Sequence, residues 1–381
     1  MNPSAILSSP KILVRGVNWL GDAVMSTPAL QRLREAKPGA RITLLTPHKL
    51  FELWQGHPSV DAVMTFTEEE TCFQIGRRLR REDFKVALVL PNSPRSALEV
   101  FWAGIPERIG YAQPWRNFFL TRPIAPNPDA VPMHKSSLRK IKQLVNSSPT
   151  PRQSGIPISA HHLYHYLRLV TALGARPDPL PPHIEVTAAE VTAIRQRFEL
   201  PVDTGRRLLL FGLNAGAEYG PAKRWPRERF VAAAKIVQQQ TQCHWWVLGS
   251  QADRELASGI AAEIRTAKLG PPEAVRCLAG ETSLRQLCAA LKACDVLLTN
   301  DTGPMHLAAA VGTPVVVPFG STSPELTGPG LPKDGRHFLL RATVPCTPCF
   351  RSECPIDFRC MNSISVEAIA AATLKAAGQG G

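Results

Sequence analysis

The sequence predicts an α/β protein with two consecutive domains, each built around a parallel β-sheet. Short apolar runs alternate with amphipathic segments of helical length, a pattern typical of βαβ units. The alternation stops at a proline cluster, residues 177–182, and then starts again. A length of 381 residues suits two domains of ordinary size. Because parallel sheets bind ligands at the carboxyl ends of their strands, we expect the two Rossmann-like domains to face each other across a ligand cleft.

The first domain is predicted to span residues 1–180. Its apolar runs predict strands at 11–15, 42–45, 62–66 and 86–90. Its amphipathic segments predict helices at 23–36, 50–56, 70–83 and 94–103. The proline-containing segment 112–157 is predicted to form loops around one helix near 135–146, and another helix is predicted to end at 173–174.

The second domain is predicted to span residues 181–365. Its predicted strands lie at 208–213, 245–248, 275–278, 296–298 and 315–317. Its predicted helices lie at 188–198, 227–240, 253–267, 284–293 and 304–311. Residues 366–381 are predicted to form a closing helix and tail.

The composition indicates a globular chain without a membrane span. Apolar residues make up 44% of the sequence, and no apolar run approaches the roughly 18 residues of a transmembrane helix. The N-terminal segment lacks the basic start and apolar core of a secretory signal, so we expect a cytoplasmic protein without a disulfide framework. The net charge of +13 favours anionic partners. The densest basic run, Arg77, Arg78, Arg80 and Arg81, is interpreted as a solvated helix face.

The turn after the first predicted strand carries Arg15, Asn18, Gly21 and Asp22. In a doubly wound sheet, ligands bind beside this turn. Gly21 allows a tight backbone, and Asp22 stands at the start of a helix. Asp22 is therefore either a ligand-facing carboxylate or an ordinary helix cap. The spacing does not match the dinucleotide-binding glycine pattern.

Two further segments predict an anion site in the second domain. The first, 214–226, combines small residues such as Gly216 and Ala217 with the cation of Lys223 before a helix, as a diphosphate loop requires; the alternative is a basic surface loop. The second, 299–306, carries Asp301, Thr302, Gly303 and His306. There, helix-terminal amides can face an anion. His306 is interpreted as a packed histidine in preference to a metal ligand.

Four of the nine cysteines fall close together, at Cys346, Cys349, Cys354 and Cys360. The two-residue spacing of the first pair lets both thiolates face one ion, and the second pair can complete a tetrahedral set. Structural zinc, an iron–sulfur cluster, and paired disulfides or plain thiols are the three interpretations. A structural role is expected in preference to a catalytic one.

Taken together, these motifs closely resemble glycosyltransferase family 9, the ADP-heptose:lipopolysaccharide heptosyltransferases, over roughly residues 11–375. The resemblance rests on Gly21-Asp22, on GAEYGPAKRWP at 216–226, which is nearer to type II enzymes than to type I, and on NDTGPMH at 300–306. Two departures are Asn214-Ala215, where a proline is expected, and Pro304 in place of a leucine.

The resemblance implies the GT-B fold and an inverting transfer of heptose from ADP-heptose to the lipopolysaccharide inner core. It implies an acceptor-binding first domain, with Asp22 as the general base, and a donor-binding second domain. Lys223 and the amides of Thr302 and Gly303 would stabilise the departing ADP without a metal cofactor. Asp253 would contact donor hydroxyls, and Thr282 and Ser283 would line the adenine pocket.

The basic charge suits a phosphorylated core acceptor and peripheral contact with the anionic inner leaflet of the cytoplasmic membrane. Two alternatives remain at this stage. One is another family 9 transferase, of type I or III, with a different acceptor. The other is a basic nucleic-acid-binding protein, which the dispersed positive charges and the lack of a recognised motif disfavour.

Overall fold

A computed structural model of the chain describes residues 10–146, 155–200 and 208–378. Residues 1–9, which make up most of the N-terminal segment predicted not to be a secretory signal, lie outside these ranges, as do residues 379–381 of the predicted tail. None of the helices in the described part of the chain has the length and apolar character needed to cross a bilayer.

The described chain contains strands and helices in regular alternation. The strands are β1 Lys11–Arg15, β2 Arg41–Pro47, β3 Ala62–Phe66, β4 Val86–Val89, β5 Glu107–Tyr111, β6 Arg122–Ile124, β7 Leu209–Asn214, β8 Cys243–Val247, β9 Val275–Cys277, β10 Val296–Thr299, β11 Val315–Phe319 and β12 Phe338–Arg341. The α-helices are α1 Leu20–Ala36, α2 Phe51–Trp54, α3 Cys72–Arg80, α4 Pro94–Trp102, α5 Leu138–Asn146, α6 His162–Thr171, α7 Ala188–Arg197, α8 Arg227–Gln240, α9 Arg254–Arg265, α10 Leu284–Ala293, α11 Gly303–Ala310, α12 Pro324–Thr327, α13 Arg359–Asn362 and α14 Val366–Gly378.

The strands form two six-stranded sheets of identical connectivity. The first has the order β3-β2-β1-β4-β5-β6, and the second has the order β12-β11-β10-β7-β8-β9. Neighbouring strands pair in parallel in both sheets. In each sheet the chain winds outward first to one side and then to the other, as in a Rossmann fold. The prediction of two Rossmann-like parallel-sheet domains is confirmed.

Three of the strands are not among those predicted from the sequence, and one of them corrects the prediction. The sequence predicted only loops and one helix over 112–157, but Arg122–Ile124 is β6, a strand at the edge of the first sheet. Its proline is tolerated because an edge strand has one unpaired side. β5 begins with two charged residues, and β12, at the edge of the second sheet, is only partly buried. β5 and β6 lack the continuous apolar run that identified the central strands, whereas β12 has a short one at 338–340, between His337 and Arg341.

The chain divides into two compact units. Unit 1 contains residues up to Ala130 and His162–Leu180, and unit 2 contains Val131–His161 and Pro181 onward. The chain passes between the two units for the last time after Leu180. The segment Val131–His161, however, is grouped with unit 2, because Ser136 donates its backbone N–H to Cys349 and Ile141 packs beside Cys346 and Cys349.

Each unit has its own apolar core on its sheet. In unit 1 the buried side chains of β1 and β4 pack with those of α3 and α4. In unit 2 a larger cluster includes four buried aromatic residues, Phe211, Trp225, Phe230 and Trp245. The final helix α14 buries Ile369, Ala370 and Ala376 in that cluster. The predicted closing helix therefore belongs to the core of unit 2.

Candidate functional site

The connectivity of each sheet places particular loops at its functional edge. In unit 1 the chain reverses its winding direction between β1 and β4, and in unit 2 between β7 and β10. Loops that leave the carboxyl ends of two such strands border a crevice where ligands bind in open α/β sheets. The loops 16–19 and 90–93 occupy this position in unit 1, and the loops 215–226 and 300–302 occupy it in unit 2.

Asp22 lies in the first turn of α1, but it does not cap that helix. Trp19 is the capping residue, and it makes no side-chain capping hydrogen bond. The Asp22 carboxylate instead accepts a hydrogen bond from the hydroxyl of Tyr166, at 3.0 Å. His162 Nδ1 lies 3.4 Å from the same oxygen. Asp22 is thus a partly exposed carboxylate held by two side chains at the crevice of unit 1.

The side chains that contact Asp22 come from α6, a helix for which the sequence predicted no functional role. His162 and Tyr166 stack with ring centroids 5.3 Å apart, and His165 stacks on Tyr111 at 4.1 Å. Burial, with the nearby His162 and Arg116, lowers the pKa of His165 to about 3, so this ring is neutral at pH 7. Burial and the Asp22 carboxylate hold the pKa of Tyr166 well above 10, so its hydroxyl remains a donor.

The spacing of the residues in α6 could have indicated this cluster of side chains around Asp22. His162, His165 and Tyr166 are spaced at i, i+3 and i+4, which places three titratable side chains on one side of a helix. The spacing alone could not show that this side of α6 packs beside Asp22.

The three predicted acceptor-side residues near Asp22 have different surroundings. Arg15 is only 1% exposed, and its guanidinium donates to Glu99, at 2.7 Å, and to the Asn18 side chain, at 2.9 Å. The hydrogen-bonding groups of Arg15 are therefore used within unit 1, where they support the loop 16–19. Asn18 is exposed and Gly21 is partly exposed, so these two are open to a ligand.

In unit 2 the loop 215–226 is fastened to the end of β10 by Asn300. The amide of this buried residue donates to the Ala215 carbonyl, at 2.7 Å, and its oxygen accepts the Trp225 N–H, at 2.9 Å. Asn214, the first predicted departure from the family pattern, donates to Thr299 at 3.1 Å. The predicted basic loop is thus a fixed part of the sheet edge.

Lys223 and Asp301 form the main charged pair of this edge. The Lys223 ammonium lies 2.7 Å from Asp301, and the two side chains are only 14% and 4% exposed. Asp301 also accepts a hydrogen bond from Thr322, and Lys223 lies 4.8 Å from the centre of the Tyr219 ring. A buried carboxylate with two donors fixes the direction of the ammonium.

The other end of this edge is the start of α11. Thr302 precedes the helix, Gly303 begins it, and Pro304 stands in its first turn. The N–H groups of a first turn have no partners within the helix, so they are available to an anion. His306, in the same helix, is buried, with 5% of its surface exposed.

The remaining predicted donor residues lie along the same sheet. Ala217 is buried, and a side chain at Gly216 would meet the Asp253 carboxylate at 2.7 Å. Asp253 follows β8 and accepts hydrogen bonds from the backbone and hydroxyl of Ser250. Ser283 caps α10, and Thr282 beside it is partly exposed.

The four clustered cysteines line one small cavity of unit 2, together with Ile141 and Ala222. All are free thiols, and burial raises the pKa of Cys346, of Cys349 and, to about 12, of Cys360. Within the described ranges no group of three or more His, Cys, Asp or Glu side chains is arranged to hold a metal ion. The geometry therefore gives no support to the zinc and iron–sulfur interpretations.

Comparison with known proteins identifies the class. The structure of E. coli ADP-heptose LPS heptosyltransferase II superimposes with a TM-score of 0.76 at 26% identity, covering 97% of this chain and 99% of that one. Lipopolysaccharide heptosyltransferase 2 of Escherichia coli K12 is 31% identical over 84% of this chain and 85% of its own. Lipooligosaccharide heptosyltransferase 2 of Haemophilus influenzae is 30% identical over the same shares. The fold and the relatives together define a glycosyltransferase with the GT-B architecture.

Residues 72–358 match the sequence profile of glycosyltransferase family 9 (heptosyltransferase), and the chain belongs to that family. The resemblance drawn from the motifs is confirmed, and so is the expectation of an enzyme. The nucleic-acid-binding alternative is set aside on this ground.

Proposed function

We propose that this glycosyltransferase moves L-glycero-D-manno-heptose from ADP-heptose to heptosyl-Kdo2-lipid A in the lipopolysaccharide inner core. Relatives named as type 2 heptosyltransferases match the chain over most of its length, which favours this acceptor over those of types I and III. The observation that carries the chemistry is the Asp22 carboxylate, held by Tyr166 and His162 at the crevice of unit 1.

Asp22 acts as the general base of an inverting transfer. The acceptor hydroxyl oxygen forms a bond to the anomeric carbon while the bond from that carbon to the diphosphate breaks. The hydroxyl proton passes to Asp22, and the electron pair of the broken bond leaves with ADP. Attack opposite the leaving group inverts the anomeric configuration. Tyr166, which remains protonated, orients the carboxylate, and Asn18 and Gly21 border the acceptor.

Unit 2 holds the donor. The Lys223 ammonium and the N–H groups of Thr302 and Gly303 stabilise the negative charge that develops on the departing ADP. Asp301 keeps the ammonium aimed, and Gly216 allows the backbone to lie against Asp253. In this proposal Asp253 accepts hydrogen bonds from hydroxyl groups of the donor, and Thr282 and Ser283 line the pocket for its adenine.

This donor site requires no metal cofactor, because a lysine and helix-terminal amides supply the positive potential that a magnesium ion would supply elsewhere. Transfer is therefore expected to continue in excess EDTA. For the four cysteines we propose reduced, packed thiols. Protein purified under reducing conditions should carry less than about a tenth of an equivalent of zinc or iron; stoichiometric metal would restore one of the metal interpretations.

The enzyme is proposed to work in the cytoplasm, at the face of the membrane that carries its lipid-linked acceptor. The chain is net basic, with 44 Lys and Arg against 31 Asp and Glu, as suits an anionic lipid surface.

The experiment is transfer from ADP-heptose to defined core acceptors, with the linkage and anomeric configuration of the product determined by NMR. Asp22→Asn is expected to lower kcat by about 10²–10⁴-fold and leave ADP affinity unchanged, because an amide cannot accept the proton. Asp83→Asn, at an exposed aspartate paired with Lys85, is the matched control. Near-normal kcat in Asp22→Asn at saturating acceptor would show that another group is the base. Retention of configuration would contradict the inverting mechanism.

A further inference from the structure

Unit 1 carries a surface of exposed aromatic side chains to which the proposed transfer mechanism assigns no role. Phe73, Trp102, Phe101 and Phe118 form a continuous series of ring contacts with centroids 5.7–6.2 Å apart. The exposed fractions are 58% for Phe73, 42% for Trp102 and 78% for Phe118. We call this series, together with Trp115, the aromatic surface.

Trp115 is the extreme case, since its side chain is 91% exposed. It lies three residues before Phe118 in the β5–β6 connection and has a φ of 64°, in the left-handed region that non-glycine residues avoid. Its neighbour Arg116 is completely buried and donates to the Tyr111 and Pro91 carbonyls. The buried arginine anchors the loop, while the tryptophan beside it is held in solvent.

Positive charge adjoins the aromatic surface. Phe73, Arg77 and Arg80 follow one another at i, i+4 and i+7 on the exposed side of α3, and Arg81 continues the run. Arg80 donates to the Trp102 carbonyl at 2.6 Å, so the two features touch. Arg77 and Arg81 make no ion pair with any described residue, whereas Arg78 is paired with Glu70. Arg77, Arg80 and Arg81 are exposed, as the interpretation of a solvated helix face expects.

We propose that the aromatic surface and Arg77, Arg80 and Arg81 dock unit 1 on an anionic phospholipid bilayer. Tryptophan and phenylalanine rings insert at the headgroup level, and arginines attract the anionic lipids. A second copy of the chain fits less well, because a symmetric contact would set the same arginines against each other. The choice of a bilayer rests on the proposed function, in which the acceptor is anchored in a membrane.

The expected binding is moderate and salt-dependent. Each arginine near an anionic surface contributes about five-fold to the partition coefficient, and the exposed rings add an apolar contribution that salt does not screen. The full-length protein should therefore sediment with vesicles of equimolar phosphatidylglycerol and phosphatidylcholine, and far less with phosphatidylcholine alone.

Two variants separate the contributions. Arg77→Glu/Arg81→Glu is expected to weaken partitioning more than about 20-fold, and Trp115→Ser/Phe118→Ser about ten-fold. Lys268→Glu/Lys333→Glu, at exposed lysines of unit 2, changes the net charge equally and is expected to bind like the wild type. Circular dichroism and turnover of a water-soluble acceptor analogue should be unchanged in all three.

The vesicles contain no acceptor, and the binding assay contains no sugar nucleotide. The result is therefore independent of whether the proposed substrates are correct. Equal losses in the Lys268/Lys333 variant would overturn the proposal in favour of diffuse charge attraction. Wild-type binding in both unit 1 variants would overturn it as well. Sedimentation velocity tests the other occupant: a dimer that the Trp115/Phe118 variant dissociates would identify the aromatic surface as a contact between copies.

Discussion

At the scale of single residues, the catalytic candidates are defined by partners distant in the sequence. Tyr166 reaches Asp22 from 144 positions along the chain, and Asp301 reaches Lys223 from the turn after another strand. The Asp22 carboxylate is held by the protonated Tyr166, and the Lys223 ammonium by the buried Asp301. Substitutions of these partner residues therefore test the proposed roles of Asp22 and Lys223.

Tyr166→Phe is expected to lower kcat about ten-fold without changing the KM for the donor. The ring remains, but the hydroxyl that orients the Asp22 carboxylate is lost. A hydrogen bond to a charged group contributes about 1.5–3 kcal/mol, so urea unfolding should also report a loss of stability. Steady-state kinetics with saturating acceptor measures the first effect.

Tyr164→Phe is the matched control, since Tyr164 lies on the same helix and is not among the contacts of Asp22. Equal kcat values for the two variants would mean that Tyr166 has no part in positioning the base.

Lys223→Met is expected to reduce kcat/KM for the donor and to destabilise the protein. The methionine keeps the length of the aliphatic stem, but the Asp301 carboxylate, 4% exposed, loses its counter-ion. Breaking one side of a buried pair typically costs about 3–5 kcal/mol. A fall in kcat as well as a rise in KM would indicate that the ammonium acts on the leaving group during the reaction.

The double variant Lys223→Met/Asp301→Asn distinguishes the two effects. It removes the unpaired charge, so much of the stability should return while donor use stays low. Recovery of donor use in the double variant would place Lys223 outside the diphosphate site.

At the scale of elements, the donor loop depends on the cysteine-containing segment. The Ala222 N–H donates to the Ser352 carbonyl at 2.9 Å, and the Tyr219 hydroxyl donates to the Phe350 carbonyl at 2.8 Å. Ala222 also lines the cavity that the four cysteines border. The segment that carries the cysteines therefore supports the loop that carries Lys223.

Gly220→Ala should loosen this attachment and raise the KM for the donor. Gly220 has a φ of 143°, and a Cβ there would lie 2.4 Å from the Ser352 carbonyl oxygen, so the two segments must separate. We expect a loss of about 1–3 kcal/mol in stability, as for other overpacked sites. Gly39→Ala, where an added Cβ would meet nothing within 4 Å, is the control. Unchanged donor kinetics in Gly220→Ala would show that the attachment does not control donor binding.

At the scale of the whole molecule, one partly buried and one buried histidine tie stability to pH. Burial lowers the pKa of His165 in unit 1 to about 3 and that of His337 in unit 2 to about 4. In the unfolded chain a histidine titrates near pH 6.5. Below that pH the unfolded state binds protons that the folded state does not, so stability falls as the pH drops towards 4.

The free energy of unfolding should therefore be lower at pH 5 than at pH 7, with a contribution on the order of 2 kcal/mol from each histidine. Urea unfolding at the two pH values measures the difference. His165→Gln and His337→Gln should each reduce it, and His134→Gln, at an exposed position, should not. Equal pH dependence in all three variants would contradict this assignment.

Much of the architecture was already readable from the sequence. The predicted helices 227–240 and 284–293 and the predicted strands 11–15 and 62–66 coincide with α8, α10, β1 and β3. These elements have a regular apolar pattern, because parallel strands are buried on both faces and their helices on one. The motifs at 21–22, 216–226 and 300–306 led to the family for a similar reason: a loop that binds phosphate needs small residues and a cation close together in the chain.

Only the tertiary structure decided which groups meet. It placed α6 beside Asp22, buried Arg15 against Glu99, and fastened the donor loop to residues 350–352. It also placed Arg80 against Trp102, whereas the sequence showed only a basic run. The spacing of apolar residues shows which side of each segment is buried. It therefore determines which segments are strands or helices, and in what order they follow. The partner of a buried charge is set by sheet order and helix packing, which bring together residues that no local pattern connects.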